Sequence, residues 1–286
     1  MQVDRGIVAY FAPGGGLGHL NRALAVCLPL RDAGVDARIV TNSPFAEGLA
    51  ALARCPIVRL EADLWAESAR ACVDEMQPRA VVTDTFPYGL RDEWRSAQPG
   101  PPLIHIARRL LSPFRIEPKD FALILQAEPL SVEHGASLGP SEALHGPILL
   151  SPGRISTPIP LKLDHDDLTL IVHSGPAEEV VALVALAQPP YIVISPWSNV
   201  EYYPAANLYS RARRIITGAG YNSMADLLAH RARHTAVPFP RRYDDQHARV
   251  EHFFREPADG TTQAVASILT LLSKPNPNQQ LRARLV

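Results

Sequence analysis

The chain has 286 residues, 47% of them hydrophobic and 20% charged, with a formal net charge of −1. That length exceeds what one core usually holds and points to two medium domains, while the near-zero charge excludes a general attraction to nucleic acid or anionic lipid, though not a local basic patch. Three cysteines without metal-like spacing, no basic leader before an apolar core, and no apolar run of about eighteen residues give the expectation of a cytoplasmic chain with free thiols.

In chain order, "GIVAYFA" (6–12) is predicted as a strand, followed by a helix from about Gly18 to Asp32. "ARIVTN" (37–42) is a second strand, and a helix covers "PFAEGLAALAR". "IVRL" (57–60) is a short strand before an amphipathic helix from Leu64 to Met76. "AVVTD" (80–84), "PLIHIA" (102–107) and "FALILQ" (121–126) complete the first half, the last as its final strand. Strand and helix alternating at these lengths predict a parallel sheet with helices on both faces.

From Ala127 to His165 the periodicity disappears, and "SPGRISTPIP" (151–160) is predicted as the interdomain connection. The alternation then resumes. "LTLIVHS" (168–174), "YIVIS" (191–195), "RRIITG" (213–218) and "HTAVPF" (234–239) are strands, with helices over "AEEVVALVALA" (177–187) and "TTQAVASILTLLS" (261–273). The expectation is α/β with two Rossmann-like doubly wound domains, 1–150 and 151–286, facing a ligand cleft at the carboxyl ends of their strands.

The first junction, "FAPGGGLGHLNRALAV" (11–26), places glycines where backbone must approach a ligand and where a helix start offers unpaired N–H groups. It departs from the dinucleotide fingerprint: Gly14, Gly16 and Gly18 give GxGxG, and no acid stands at the end of the second strand. The glycines Gly15, Gly16 and Gly18 suit an acceptor pocket instead, with His19 at its mouth. A histidine at a helix N-terminus stays neutral near pH 7 and is able to take a proton; alternatively it only packs there. Arg22, one turn further, either reaches the same cleft or is a solvated charge. Asp84, ending "VVTD", either orients His19 or an acceptor or closes a turn.

The second junction runs "ITGAGYNSMAD" and continues through "VPFPRRYDDQHAR". A Gly-Ala-Gly turn precedes a helix starting near Asn222 or Ser223, so backbone amides from Gly218 and Gly220 onward and the Ser223 hydroxyl could hold a diphosphate. Asp226 could accept both hydroxyls of a ribose, or be a first-turn acid that suits the helix dipole. Asp245 and Gln246 could bind sugar hydroxyls with Arg241 or Arg242 near the phosphates, or an aspartate could cap a helix and the arginines be solvated.

Through these stretches the chain resembles a two-domain nucleotide-sugar glycosyltransferase of the GT-B fold, and is most similar to the bacterial group that contains the N-acetylglucosaminyltransferase making lipid II. "GGGLGHLNRALAV", "GAGYNSMAD" and "PFPRRYDDQHAR", in that order, carry the resemblance. It implies an inverting transferase that needs no bound metal or cofactor and uses a UDP-sugar. By position, the first loop faces acceptor and reaction centre, and Gly220 and Ser223 hold the diphosphate. Asp226 binds ribose, and Asp245 with Gln246 binds the donor sugar. Two departures stand out: Asp226 where a glutamate is common, and "HSGPAEE" in place of a Gly-rich turn, which puts His173 and Ser174 at the cleft.

"GLGHLNR" also fits GxGHxxR, similar to compact nucleotide-sugar hydrolases on the same scaffold, in which water replaces the acceptor hydroxyl. A third class is a nucleotide-sugar-binding protein without turnover. The partners expected are a nucleoside-diphosphate sugar and an unidentified acceptor. "IARRLLSPFR" (106–115), mixing Arg with Leu and Phe, leaves open a peripheral membrane contact.

Overall fold

The computed structural model describes residues 6–95, 100–151, 153–155, 167–198 and 202–274. Most of the expected connection within 151–160 lies outside the described residues.

The first half forms one parallel sheet of seven strands, ordered β3-β2-β1-β4-β5-β6-β7. These are β1 (Ile7–Phe11), β2 (Asp36–Thr41), β3 (Ile57–Arg59), β4 (Ala80–Asp84), β5 (Leu103–Ala107), β6 (Phe121–Gln126) and β7 (Glu142–Ala143). All residues of β4 and β5 are buried, as strands covered on both faces must be. One face packs on α1 (Leu17–Asp32) and α2 (Ala46–Ala53), the other on α3 (Trp65–Met76), whose Trp65 meets Phe11 edge to face. The region after β6, expected to be irregular, contains a short helix α4 (Val132–Ser137) capped by the Ser131 hydroxyl, and the two-residue β7. Both fall below the length at which a sequence period is visible.

The second half forms a four-stranded parallel sheet, β11-β10-β8-β9. It comprises β8 (Thr169–Val172), β9 (Tyr191–Ile194), β10 (Arg214–Gly218) and β11 (His234–Val237), with α5 (Ala177–Val184), α6 (Tyr221–Asp226) and α7 (Gln246–His252). Helix α5 ends at Val184, three residues before the predicted 187, and the Pro189–Pro190 pair leads into β9. The two sheets are therefore doubly wound α/β units.

Helix α8 (Gly260–Ser273), from the second half of the chain, packs on α1 and β6 of the first sheet, burying Ala264, Val265, Ile268 and Leu272 in its core. It enters by a close backbone crossing: a Cβ at Gly260 would stand 1.9 Å from the Gly146 carbonyl oxygen, so only glycine fits. Thr261 and Gln263 then bond the backbone of Leu149 and His145. No helix among the described residues is long and apolar enough to cross a membrane.

Candidate functional site

Two helix starts meet where the halves face each other. Helix α1 begins at Leu17 after Gly16, and the extra space at Gly15, Gly16 and Gly18, where an added Cβ meets nothing within 4 Å, leaves this junction open. Helix α6 begins at Tyr221 with Gly220 as its cap residue, one or two residues earlier than predicted and without a side-chain cap. The reason is that Asn222 is committed elsewhere. Its Nδ2 donates to the Gly18 carbonyl at 3.0 Å, and Arg22 Nη1 donates to its Oδ1 at 3.4 Å.

Asp84 closes β4 within this meeting point and is fully buried. Arg22 Nε donates to both its oxygens at 3.2 and 3.1 Å, and Nη2 lies 2.9 Å from Oδ2. The Thr85 hydroxyl donates to Oδ1 at 3.0 Å from a backbone held at φ +71°, a left-handed conformation that costs a β-branched residue about 1–3 kcal/mol. Burial pushes the Asp84 carboxyl up, but Arg22 and His19 together outweigh it and hold the group well below the usual carboxylate range. Arg22, 1% exposed, is thus no solvated charge.

His19 Nδ1 lies 3.2 Å from Asp84 Oδ2. An ionised carboxylate only accepts, and Arg22 Nη2, the donor 3.3 Å from Nδ1, lies closer to Asp84, to which it donates; Nδ1 therefore carries the ring proton toward Asp84 and Nε2 is left with a lone pair. Nε2 has no hydrogen-bond partner among the described residues, and the side chain keeps 19% of its surface. Burial lowers the His19 pKa, Asp84 partly opposes this, and Arg22, whose Nη2 lies 3.3 Å from Nδ1, adds to the lowering. The ring is neutral near pH 7, its pKa lowered by burial first and by Arg22. The arrangement is an oriented base with a free nitrogen.

On the α6 side, Asp226 is the last residue of a six-residue helix, which removes its reading as a first-turn acid. It has no hydrogen bond or ion pair among the described residues, and burial pushes its carboxyl up to about 7. Tyr203, whose hydroxyl bonds Asn21 of α1, and Tyr209 both feel its charge. Ser223 is half-buried, with a hydroxyl that no described residue engages.

His173 follows β8 and Ser174 beside it is exposed. His173 Nε2 lies 2.6 Å from Glu179, which in turn receives both Arg241 nitrogens. Arg241 is therefore ion-paired, not solvated, whereas Arg242 is exposed over the Tyr243 ring. The His173 ring fills the space above Gly218: a Cβ there would sit 2.6 Å from His173 Cε1. Asp245 caps α7, its Oδ1 accepting from the Ala248 N–H at 3.0 Å. Gln246 accepts the Phe239 N–H at 3.0 Å, leaving its amide nitrogen unbonded among the described residues.

Sequence reasoning missed a buried charge network that joins the halves. Arg249 Nε and Nη2 donate to the two Glu128 oxygens at 2.7 and 2.9 Å, and Arg249 also holds Asp244. Arg108 Nη2 donates to Asp244 at 2.7 Å. The Tyr221 ring lies beneath both Arg22 and Arg108, at 5.0 and 5.1 Å, while its hydroxyl donates to the Ala127 carbonyl and accepts the Ile148 N–H. Arg108 and Glu128 stand just past the ends of β5 and β6, as Asp84 ends β4; charged residues at successive strand ends were the available signal. Within 106–115, Arg108 and Arg109 are buried, the Arg109 backbone N–H on Glu128 and its Nε on the Pro129 carbonyl, whereas Leu111 and Arg115 are exposed, so only part of the basic edge expected for membrane contact faces outward.

No protein-family model matches the chain, and no curated protein matches it. Solved structures do. The chain is similar to the Streptomyces sp. SF2575 glycosyltransferase SsfS6, with 13% identity, 82% of each chain covered and a TM-score of 0.54. It is similar to the spinosyn rhamnosyltransferase SpnG, at 14% identity over 94% of this chain and 92% of that one, TM-score 0.56. It is also similar to a Listeria monocytogenes protein described provisionally as a UDP-N-acetylglucosamine 2-epimerase, at 9% identity over 94% and 88%, TM-score 0.57. At these identities the likeness is one of fold: two Rossmann-like units in the GT-B arrangement of glycosyltransferases.

Proposed function

We propose that the protein, acting in the cytoplasm, is an inverting glycosyltransferase that moves a sugar from a nucleoside-diphosphate sugar, a UDP-sugar by preference, to an acceptor hydroxyl. The observation that carries this reading is the His19–Asp84 pair, with Nε2 free beside the junction of α1 and α6. His19 Nε2 takes the proton of the attacking hydroxyl as its oxygen bonds the anomeric carbon, and the bond from that carbon to the diphosphate oxygen breaks with its electron pair leaving on the diphosphate. Asp84 fixes the tautomer and stabilises the imidazolium that forms. Arg22 keeps Asp84 ionised.

In this reading residues 1–150 present the acceptor side and 151–286 the donor side. First-turn amides of a helix lack intrahelical partners, so those following Gly220, with the Ser223 hydroxyl, would hold the diphosphate, while the Ala219 N–H after Gly218 is already given to the Val237 carbonyl. Asp226, an unpaired carboxylate, would accept from the ribose. His173, oriented by Glu179, and Ser174 would line the same side, with the free Gln246 amide and Asp245 toward the donor sugar.

The test is incubation of the purified protein with a panel of nucleotide sugars, with and without acceptor alcohols, following nucleotide release and glycoside formation. Release that requires acceptor supports transfer. Rapid release without acceptor identifies a hydrolase, with water on His19, and saturable nucleotide binding with neither product identifies a binding protein.

A further inference from the structure

Against the His19 ring stands an aromatic cluster built from both halves of the chain. The Phe86 ring stacks on His19 at 6.0 Å and 25° between planes. Phe86, Phe114 and Tyr243 close a triangle, with centroids 5.6 Å apart for Phe86–Phe114, 5.5 Å for Phe86–Tyr243 and 5.8 Å for Phe114–Tyr243. The segment after β5 is tied to the loop bearing Tyr243: the Leu111 N–H donates to the Tyr243 carbonyl at 2.8 Å. The cluster is not a closed core. Tyr243 is 37% exposed and Leu111 56%, while Phe86 and Phe114 are only half-buried. Apolar rings left open to water next to an unpartnered base mark a surface that a ligand covers.

The charges around it restrict what that ligand is. The guanidinium groups of Arg22 and Arg108, which reach this side, are neutralised by Asp84 and by Asp244 with Glu128. A phosphorylated or lipid-diphosphate acceptor would therefore meet no uncommitted buried cation there, only Arg242, exposed at the rim over the Tyr243 ring. A hydroxyl-rich glycan would find one side-chain hydroxyl on the triangle, that of Tyr243. Three partly open rings at 44–88° to one another are instead suited to the face and edge contacts that flat aromatic ligands make with aromatic side chains.

We propose that the acceptor is a planar aromatic alcohol, a phenol or a fused-ring hydroxy compound, stacked on Phe86, Phe114 and Tyr243 with its hydroxyl toward His19 Nε2. This rests on the transferase reading for its chemistry: the phenolic proton passes to Nε2, the phenolic oxygen bonds the anomeric carbon, and the nucleoside diphosphate departs with the electrons of the broken bond.

The experiment measures binding apart from turnover. 4-Methylumbelliferone, a fluorescent planar phenol, is titrated into the full chain and into Phe114→Ala, Tyr243→Ala and Tyr243→Phe, with geraniol and methyl glucoside as competitors and the urea midpoint of each variant as the check on folding. Expected are saturable binding, a weakening of about tenfold in each alanine variant, retention in Tyr243→Phe, and no displacement by either competitor at equal concentration. Absence of saturable binding, unchanged affinity in both alanine variants, or displacement by geraniol, which would make the surface a prenyl site, overturns the proposal. If the phenol binds as expected but no donor yields its glycoside, the aromatic site stands and the transferase reading fails. If sugars are glycosylated while the phenol does not bind, the reverse holds.

Discussion

Asn222 Nδ2 donates to the Gly18 carbonyl across 3.0 Å, fastening the starts of two helices that lie 204 residues apart in the chain. The same side chain receives Arg22, the residue that holds Asp84. This contact fixes the spacing between the base and the proposed diphosphate loop. Asn222→Ala removes two part-buried hydrogen bonds, about 1–3 kcal/mol of stability. Turnover should fall as well, by about 10²-fold, because small misplacement of reacting groups is costly. Urea unfolding and steady-state rates on the same preparation check both numbers, and a variant that turns over normally removes the contact from the mechanism.

His19→Ala should abolish turnover while changing nucleotide affinity little. The acid limb of the wild-type profile should fall below the ordinary histidine value of 6.5, since burial and Arg22 lower the ring pKa and the base form persists to lower pH. Asp84→Asn takes away the charge that raises that pKa, so any remaining acid limb moves further down. The amide can also donate to Nδ1, which puts the proton on Nε2 and removes the base, and the rate should drop by about 10²-fold or more. A pH–rate series on the two variants decides this, and a fully active Asp84→Asn would end the orienting role.

The strand-and-helix alternation was legible because parallel strands buried on both faces are short apolar runs and α1, α3 and α8 are long enough to show a period. Each predicted strand lies within a residue or two of its observed position. Glycine-flanked His19 and strand-ending Asp84 were visible for the same reason, since both stand at carboxyl ends of strands. The Arg249–Glu128 and Arg108–Asp244 pairs were not, because a buried charge has the same letter as a solvated one and its partner lies 121 or 136 positions away. Asp226 also allowed a reading as a first-turn acid because the expected helix start near Asn222 or Ser223 put it there, whereas α6 begins at Tyr221 and ends at Asp226.

The Arg249 network predicts a pH-dependent defect. Arg249→Ala leaves Glu128 and Asp244 buried with only Arg108 to share, and should cost about 3–5 kcal/mol near neutrality. In the wild type, Arg108 and Arg249 overcome burial and hold Asp244 well below the usual range, so its stabilisation is present above the ordinary pKa and lost only in strong acid. In the variant Asp244 keeps only Arg108 against burial, so its carboxyl rises from its wild-type position and the defect should shrink as pH falls from 8 to 5. Denaturation midpoints across that range measure it, and a defect independent of pH would mean that lost packing, not unpaired charge, is responsible.

Asp226 gives the opposite slope. Burial raises its folded-state pKa from the ordinary 3.8 to about 7, so the unliganded fold prefers the protonated carboxyl. Its contribution is complete below pH 3.8, declines as the unfolded chain ionises first, and is gone once pH passes about 7. Asp226→Asn should therefore match the wild type in stability at pH 4 and exceed it at pH 8. A ribose donating two hydroxyls needs the ionised form, so donor binding should release a proton below pH 7, and affinity should rise with pH by up to about tenfold per unit. UDP-glucose is a suitable probe because its diphosphate ester has no proton to lose in that range. Calorimetric titration between pH 5.5 and 7.5 should show the slope in the wild type, and weaker, pH-independent binding in Asp226→Asn. Flat wild-type affinity, or equal affinity in the variant, would leave this carboxylate without a ligand.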